Sequence, residues 1–323
     1  MDARERILGG LWGAVVGDAL GVPVEFQSRN ALLAHPVIDM RGEGTYQQPP
    51  GTWSDDTSLM LCTVEELIEG FDTQRLGKLF VRWLNSAYWT PRGRVFDVGI
   101  TTRQAINRLS NGAAPEQAGL DDENSNGNGS LMRILPVALR FSGSSTAEIV
   151  NYAHQSSSLT HRHLRSKVAC GIYCLIARAL MSGRGPADAY EIGIQESRAF
   201  YLDTPYSSEL SNFERVLSGQ VGRLPESAVA SSGYVVHTLE ASIWCLLNTG
   251  SFRESTLRAV NLGEDTDTTA TVTGGLAGIY YGVSSIPDEW LHQLARREDL
   301  GRLFENFHQR LESSTPDEAE GEC

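Results

Sequence analysis

Apolar residues recur at helical spacing along most of this chain. In Arg6–Leu20, the side chains Ile7, Leu11, Val15 and Leu20 fall close to a 3.6-residue period. The same pattern predicts helices over Asp55–Glu69, Gln74–Tyr88, Leu131–Phe141, Thr146–Gln155, Arg165–Met181, Val235–Leu247, Glu254–Val260, Thr269–Tyr281 and Gly301–Leu311. There is no series of alternating strands, and Asn111-Gly112 and Asn126-Gly127 lie in polar loops instead of between β-rich flanks. The expected fold class is all-α, a single many-helix domain over residues 1–312. Two long polar stretches, Ser28–Pro50 and Asn111–Ser130, interrupt the pattern. Loops of that length in a compact domain usually carry function. The end, Ser313–Cys323, is polar and acidic with no apolar face and reads as a disordered tail.

Charge and cysteine usage narrow the function classes. The chain of 323 residues carries 27 Lys+Arg against 40 Asp+Glu, a formal charge of −13. Such a surface argues against general nucleic-acid binding, which needs a basic stripe. It leaves room for an anionic small ligand at a site made locally positive by a metal. The 5 cysteines show no CxxC and no zinc spacing. Cys170 and Cys174, four apart in an apolar stretch, read as helix packing and reduced thiols. The start Met-Asp-Ala-Arg-Glu-Arg has no net positive region, and Asp18 breaks the apolar run behind it. No signal peptide is expected. No uncharged stretch approaches the ~20 residues of a membrane span. The expectation is a soluble, cytoplasmic monomer that binds no membrane.

Two acidic segments carry most of the chemical information. The first is Gly51-Thr52-Trp53-Ser54-Asp55-Asp56-Thr57-Ser58, the second Gly263-Glu264-Asp265-Thr266-Asp267-Thr268-Thr269-Ala270. Each precedes an apolar helical run, so each could simply cap a helix: Ser54 and Asp265 suit an N-cap, and acidic first turns suit the helix dipole. Successive helical residues point about 100° apart. Adjacent Ser54, Asp55 and Asp56 therefore converge on one point only at a helix end, and so do Asp265, Asp267 and Thr268. If the two ends meet, four carboxylates and two hydroxyls crowd together and repel unless a cation sits among them. An all-oxygen donor set selects hard ions such as Mg²⁺, Mn²⁺ or Ca²⁺, and two of them would balance four carboxylates.

Taken together with other motifs, these segments resemble the ADP-ribosylglycohydrolase family, of the dinitrogenase-reductase-activating glycohydrolase and ADP-ribosylhydrolase type. Gly17-Asp18-Ala19-Leu20-Gly21 and Pro23-Val24-Glu25-Phe26 are similar to the family's opening. Gly127-Asn128-Gly129-Ser130-Leu131-Met132-Arg133 resembles its Gly-Asn-Gly-x-x-Met-Arg loop, Thr160-His161 its Thr-His pair, and Gly274-Gly275-Leu276-Ala277-Gly278 its glycine-rich last core helix. The matches occur in family order, from about residue 7 to 282.

The resemblance implies a compact all-α domain with a dinuclear Mg²⁺ or Mn²⁺ centre in a cleft. The implied reaction is hydrolysis of the bond between ADP-ribose and an acceptor, foremost an arginine on protein. Serine-linked ADP-ribose, poly(ADP-ribose), O-acetyl-ADP-ribose and a nucleic-acid end stay open as substrates. So does two-metal phosphohydrolase chemistry. A non-enzymatic, crystallin-like role is disfavoured by the intact acidic motifs. Carried over, the metal ligands are Ser54, Asp55, Asp56, Asp265, Asp267 and Thr268. Glu25, Asp56 and Asp267 are the implied catalytic residues, Glu25 on a mobile loop. The implied substrate cradle is Gly127, Asn128, Gly129, Ser130 and Met132, with His161 lining the cleft. In that reading the loop runs into a helix N-terminus that Ser130 caps, with its hydroxyl free to reach phosphate. Asp18 reads as buried support for the first motif, and Gly274 and Gly278 as points of close helix packing. The resemblance implies Gly in many relatives where this chain has Glu264, which reads either as a solvated loop charge or as an acid that tunes the surroundings of the metals. Acceptor contacts are expected in Ser28–Pro50 and Tyr88–Gly99.

Overall fold

The computed structural model of the protein describes residues 1–313. It holds α1 (Ala3–Gly21), α2 (Arg29–Ala34), α3 (Asp55–Glu69), α4 (Thr73–Ser86), α5 (Ile100–Ser110), α6 (Pro115–Ala118), α7 (Leu135–Arg140) and α8 (Thr146–Ser158). After these come α9 (Leu164–Met181), α10 (Pro186–Tyr201), α11 (Glu214–Leu217), α12 (Val235–Leu247), α13 (Phe252–Asn261), α14 (Thr266–Tyr281), α15 (Asp288–Gln293) and α16 (Arg297–Glu312). Among the described residues there is no β-sheet, only isolated bridges such as Gly127 with Tyr234. The fold is the single all-α domain that the periodicity predicts. The tail after Ser313 lies outside the described residues.

One expected helix is cut short. Leu131–Phe141 is helical only from Leu135, because Pro136 lacks an N–H and is accommodated in the first turn of a helix but not in its interior. The segment ahead of it is a tight turn, in which the N–H groups of Leu131 and Met132 both donate to the Asn128 carbonyl, at 2.7 and 3.0 Å. No helix therefore starts at the end of the glycine loop.

The centre of the molecule is the pair α1 and α14, which touch backbone to backbone. Gly9, Gly13, Gly17 and Gly21 repeat every four residues on one face of α1. A Cβ on Gly13 would lie 2.3 Å from the Gly274 carbonyl oxygen, and one on Gly274 would lie 2.2 Å from that of Gly13. Gly9 and Gly278 meet in the same way, at 2.2 and 2.0 Å. No side chain fits between these helices. Glycine inside a helix costs roughly 1 kcal/mol against alanine, and the close contact offsets it. The span Ala3–Val24 has a mean hydropathy of 1.6, high enough for a membrane span by composition, but 94% of its apolar window is buried inside the protein. It is a core helix.

A larger hydrophobic core surrounds this pair. A smaller one, of Leu59, Cys62, Leu76, Phe80, Trp83, Ile106, Met132 and Leu159, lies between α3, α4 and α5. Trp53 is fully buried core. The thiols of Cys62, Cys170, Cys174 and Cys245 are free and buried, as expected of packing residues.

Gly274→Ala is expected to force α1 and α14 apart, destabilising the protein by about 1–3 kcal/mol despite alanine's better helix propensity. Gly143→Ala, where a new Cβ meets nothing within 4 Å, is the control and should leave stability within about 0.5 kcal/mol. Thermal unfolding of both variants measures the difference. Equal melting temperatures would contradict the packing account.

Candidate active site

Helix α1 fixes both acidic helix starts. Asp18, near its end, is fully buried and reaches across to the start of α3. Its Oδ1 accepts the Ser54 N–H at 2.9 Å, and its Oδ2 accepts the Thr57 N–H at 3.0 Å and the Thr57 hydroxyl at 2.5 Å. Burial pushes the Asp18 carboxyl up to about 6, and these bonds act in the opposite direction. Asp18 is thus the buried support that the sequence suggests. Ser54 is the N-cap of α3, its Oγ accepting the Asp56 N–H at 3.1 Å. The start of α14 rests on the same helix. Thr266 Oγ1 donates to the Gly21 carbonyl at 2.9 Å, and a Cβ on Gly21 would fall 2.3 Å from the Asp267 Cα.

The two motifs do meet. Thr268 Oγ1 donates to Asp56 Oδ1 at 3.4 Å, across 212 residues of sequence. Glu25, Asp265 and Asp267 each bring a carboxylate oxygen within 4.8 Å of the others. Asp265 occupies the N-cap position of α14, but its side chain makes no capping bond. Instead Asp265 Oδ2 accepts from Asn128 Nδ2 at 2.9 Å, and the same amide donates to Thr238 Oγ1 at 2.9 Å. Both amide protons of Asn128 are consumed, so this expected substrate contact orients a carboxylate. Thr238 was not legible as a site residue, because its part is only to position Asn128.

The Glu25 loop is stitched to the second motif. Phe26 N–H donates to the Glu264 carbonyl at 2.7 Å, and Glu264 N–H donates to the Gln27 carbonyl at 2.8 Å. The side chain of Glu264 is exposed, in keeping with a solvated charge. Its φ of 64°, like the 65° of Phe26, lies in the left-handed region that favours glycine.

These residues form the end of a cleft of about 510 Å³, lined by Glu25, Phe26, Asp55, Asp56, Asp97, Ile100, Thr102, Asn124, Ser125, Gly127, Asn128, Gly129, Met132, His161, Gly233, Asp265 and Thr268 among others. Asp97 is an acidic residue that sequence patterning does not reveal. It belongs to no motif and sits in an irregular segment with a φ of 49°. It does fall in Tyr88–Gly99, where acceptor contacts are expected, and Tyr46, from the other expected stretch, lies within hydrogen-bonding reach of both Glu25 and Asp97. Ser130 departs from expectation. Its side chain is fully buried and points away from the cleft, accepting from Ser157 Oγ at 2.9 Å and lying 3.5 Å from Cys170 Sγ. It supports the loop from beneath and caps no helix. Met132 is both cleft floor and core. His163 is the N-cap of α9 and His154 contacts the Tyr201 hydroxyl at 2.9 Å, so neither takes part in the site.

The acidic cluster is strained as it stands. Glu25 Oε2, Asp56 Oδ2, Asp265 Oδ1 and both Asp267 carboxylate oxygens are buried without a hydrogen-bond partner. Burial first, and neighbouring carboxylates second, push Asp55, Asp56 and Asp267 well above the usual carboxylate range. Burial also raises Asp265, and burial with Asp97 and Asp265 carries Glu25 up to about 9. Orphaned acceptors of this number are rare in native proteins and call for a partner. An all-oxygen set with spacings of this kind fits a hard divalent cation, which holds oxygens at about 2.0–2.6 Å. The residues present therefore suit a divalent metal site.

Comparison with known proteins agrees with this geometry. The sequence profile of the ADP-ribosylglycohydrolase family matches residues 1–317. An ADP-ribosylarginine hydrolase of Serratia proteamaculans is 32% identical over 95% of this chain and 80% of its own length. The ADP-ribosyl-[dinitrogen reductase] glycohydrolase of Rhodospirillum rubrum is 30% identical over 91% of each chain. A solved structure titled as an ADP-ribosylglycohydrolase-related protein complex superposes with a TM-score of 0.80 at 31% identity, covering 96% of this chain and 99% of the other. With its helix order, its paired acidic helix starts and these matches, the chain belongs to the ADP-ribosylglycohydrolase family.

Proposed function

We propose that this enzyme is a divalent-metal-dependent hydrolase that releases ADP-ribose from an arginine side chain of a modified protein. The observation that carries the reading is the convergence of Asp56, Asp265, Asp267 and Glu25, with five orphaned oxygens, at the end of a cleft whose side wall is the glycine loop. Ser54, Asp55, Asp56, Asp265, Asp267 and Thr268 would hold two Mg²⁺ or Mn²⁺ ions. When bound, such ions orient sugar hydroxyls and acidify a water molecule near neutral pH.

The chain's own groups supply the rest. The N–H of Gly129, a residue that lines the cleft, is used by no hydrogen bond among the described residues and is available to an oxyanion such as a diphosphate. The carboxylates stabilise positive charge on the ribose as the glycosidic bond lengthens. Glu25, at the cleft, can exchange a proton with water or with the departing acceptor. Arginine is favoured as acceptor because Glu25 and Asp97 face the same space, and a guanidinium pairs well with carboxylates. The arginine specificity named for the Serratia relative supports the same reading. The acidic surface offers no long-range attraction to a diphosphate, so capture relies on local donors and the metals.

The direct test is a panel of defined ADP-ribosylated substrates with and without metal. Free ADP-ribose should be released from the arginine conjugate in Mg²⁺ or Mn²⁺, and EDTA should abolish the reaction. Full turnover in chelator, or release of phosphate in place of ADP-ribose, would refute the mechanism.

Asp56→Asn and Asp267→Asn separate a ligand role from a structural one. Ser54 and Asp265 hold the N-cap positions, and Asp56 and Asp267 lie in the first turns, where the only structural part of their charge is a helix-dipole contribution of about 0.3–1 kcal/mol; a purely structural role would therefore survive both changes. We expect activity to fall by at least about 10²-fold, as for other losses of a critical charged group, while the metal-free melting temperature holds or rises because one charge leaves a crowded cluster. Near-normal hydrolysis by both variants would remove these residues from the site.

The raised carboxyls also predict how stability follows pH. A group whose folded-state affinity for protons exceeds the unfolded one adds stability below its unfolded pKa and loses it as pH rises through the folded value. With Asp18 at about 6 and Glu25 at about 9, the metal-free protein should lose stability across that window. Divalent metal should restore it most at the alkaline end. Melting curves at pH 5.5 and 9 (about the two limits), with EDTA or Mn²⁺, measure this; a metal-free protein that grows more stable toward pH 9 would contradict it.

A further inference from the structure

Arg133 ends the glycine-loop motif, yet its side chain does not face the cleft. It is fully buried, and no carboxylate pairs with it among the described residues. Its guanidinium lies 4.7 Å from the centroid of the Phe80 ring. Nη1 donates to Ser156 Oγ at 3.1 Å, and Nη2 donates to the Ser156 carbonyl at 3.0 Å and to Thr160 Oγ1 at 2.8 Å. A buried cation without an anion is costly, and three hydrogen bonds to neutral groups offset only part of that cost. Its position calls for a reason beyond packing.

The reason lies one bond further on. Thr160 Oγ1 also lies 3.0 Å from His161 Nδ1. A guanidinium can only donate, so the Thr160 oxygen is an acceptor toward Arg133. The hydroxyl proton is then free for Nδ1, its one acceptor among the described hydrogen bonds. An Nδ1 that accepts leaves the proton of a neutral imidazole on Nε2. The ring edge packs closely against the glycine loop: a Cβ on Gly129 would meet His161 Cε1 at 2.7 Å, and one on Gly127 would lie 3.6 Å from Nε2. Nε2 has no hydrogen-bond partner among the described residues, and His161 lines the cleft. Burial first and the Arg133 charge second lower the imidazole to about 3, so it stays neutral at physiological pH.

We propose that Arg133 and Thr160 are positioning residues that hold His161 as its Nε2–H tautomer, aimed at an oxygen of the ligand in the cleft. The chain runs Arg133 to Thr160 to His161, each group donating to the next, with the last donor offered to a phosphate or ribose oxygen. A cation at the far end polarises the chain in the direction that strengthens the final donor. With Thr160 absent, either tautomer would be allowed, and the Nδ1–H one would turn a lone pair toward an anionic ligand.

The identity of the ligand as ADP-ribose rests on the function proposed above, but the tautomer does not, so the two are tested apart. Histidine ¹⁵N spectra of the ligand-free protein should show His161 protonated at Nε2 and bare at Nδ1. Thr160→Val should lose that single-tautomer signature and bind ADP-ribose about tenfold more weakly, the worth of one net hydrogen bond, with KM raised more than kcat is lowered. Thr160→Ser keeps the hydroxyl and should restore both. A wild-type ring protonated at Nδ1 would overturn the proposal, and so would a Thr160→Val protein with unchanged tautomer and affinity. If the wild-type protein binds no ADP-ribose, the proposed function fails, while the spectra still decide the relay.

Discussion

The site depends on one close contact, the backbone-to-backbone packing of α1 against α14. Four glycines at four-residue spacing leave α1 without a side chain on the face that meets α14. The gap closes until carbonyl oxygens occupy the places where Cβ atoms would be. At the far end of that seam Gly21 lets the Asp267 backbone in, and one turn earlier Asp18 grips the start of α3. A single helix therefore sets the positions of two acidic helix starts that the chain separates by more than two hundred residues. Metal ligands need placement to within a few tenths of an ångström. Rigid helices joined without intervening side chains are a direct way to provide it.

That placement has an electrostatic cost which the rest of the site is arranged to bear. Like charges at this density protonate or repel when no cation is present, and the raised carboxyls register the conflict. The hydrogen bonds nearby hold the carboxylates in place without neutralising them. Asn128 orients Asp265, and Asp18 is turned to the α3 backbone instead of the cluster. Five carboxylate oxygens are left for something outside the polypeptide. A divalent ion held by these oxygens would relieve that repulsion, so the metal-bound form would be the more stable one.

The sequence was a good guide where a physical signal is local or repeated. Apolar periodicity marks most of the long core helices, and acids clustered at a helix start mark Asp55, Asp56, Asp265 and Asp267, which the fold brings together at one end of the cleft. Helix α10 escaped because its buried face is Ala189, Tyr190, Gly193, Ile194, Ser197 and Tyr201, too small and mixed to read as a stripe. Helix α5 buries only Thr102, Ala105 and Ile106. Apolar periodicity runs through Leu131–Phe141, but Pro136 confines the helix to the part from Leu135 onward. Ser130 and Asn128 were placed by motif, and a motif does not say which way a side chain turns: one is buried beneath the loop, the other holds a carboxylate. Asp97 and Tyr46 have no local signal at all, since only the folded chain brings these two segments together beside Glu25.

Glu264 acts on the site through its backbone and not through its charge. As a fifth acid beside Asp265 it could have tuned the metal site, but its side chain is exposed and the site sees its backbone instead. Its N–H and carbonyl tie Gln27 and Phe26, and the pairing demands a left-handed φ at position 264. Glycine adopts that conformation freely, whereas an L-residue with a side chain pays roughly 1–2 kcal/mol. A glycine at this position would meet that geometry without strain. In this chain the strain is held by the two hydrogen bonds that keep Glu25 over Asp265 and Asp267. The loop bearing Glu25 is therefore coupled to the α14 start through the main chain, and its position does not depend on the charge at 264.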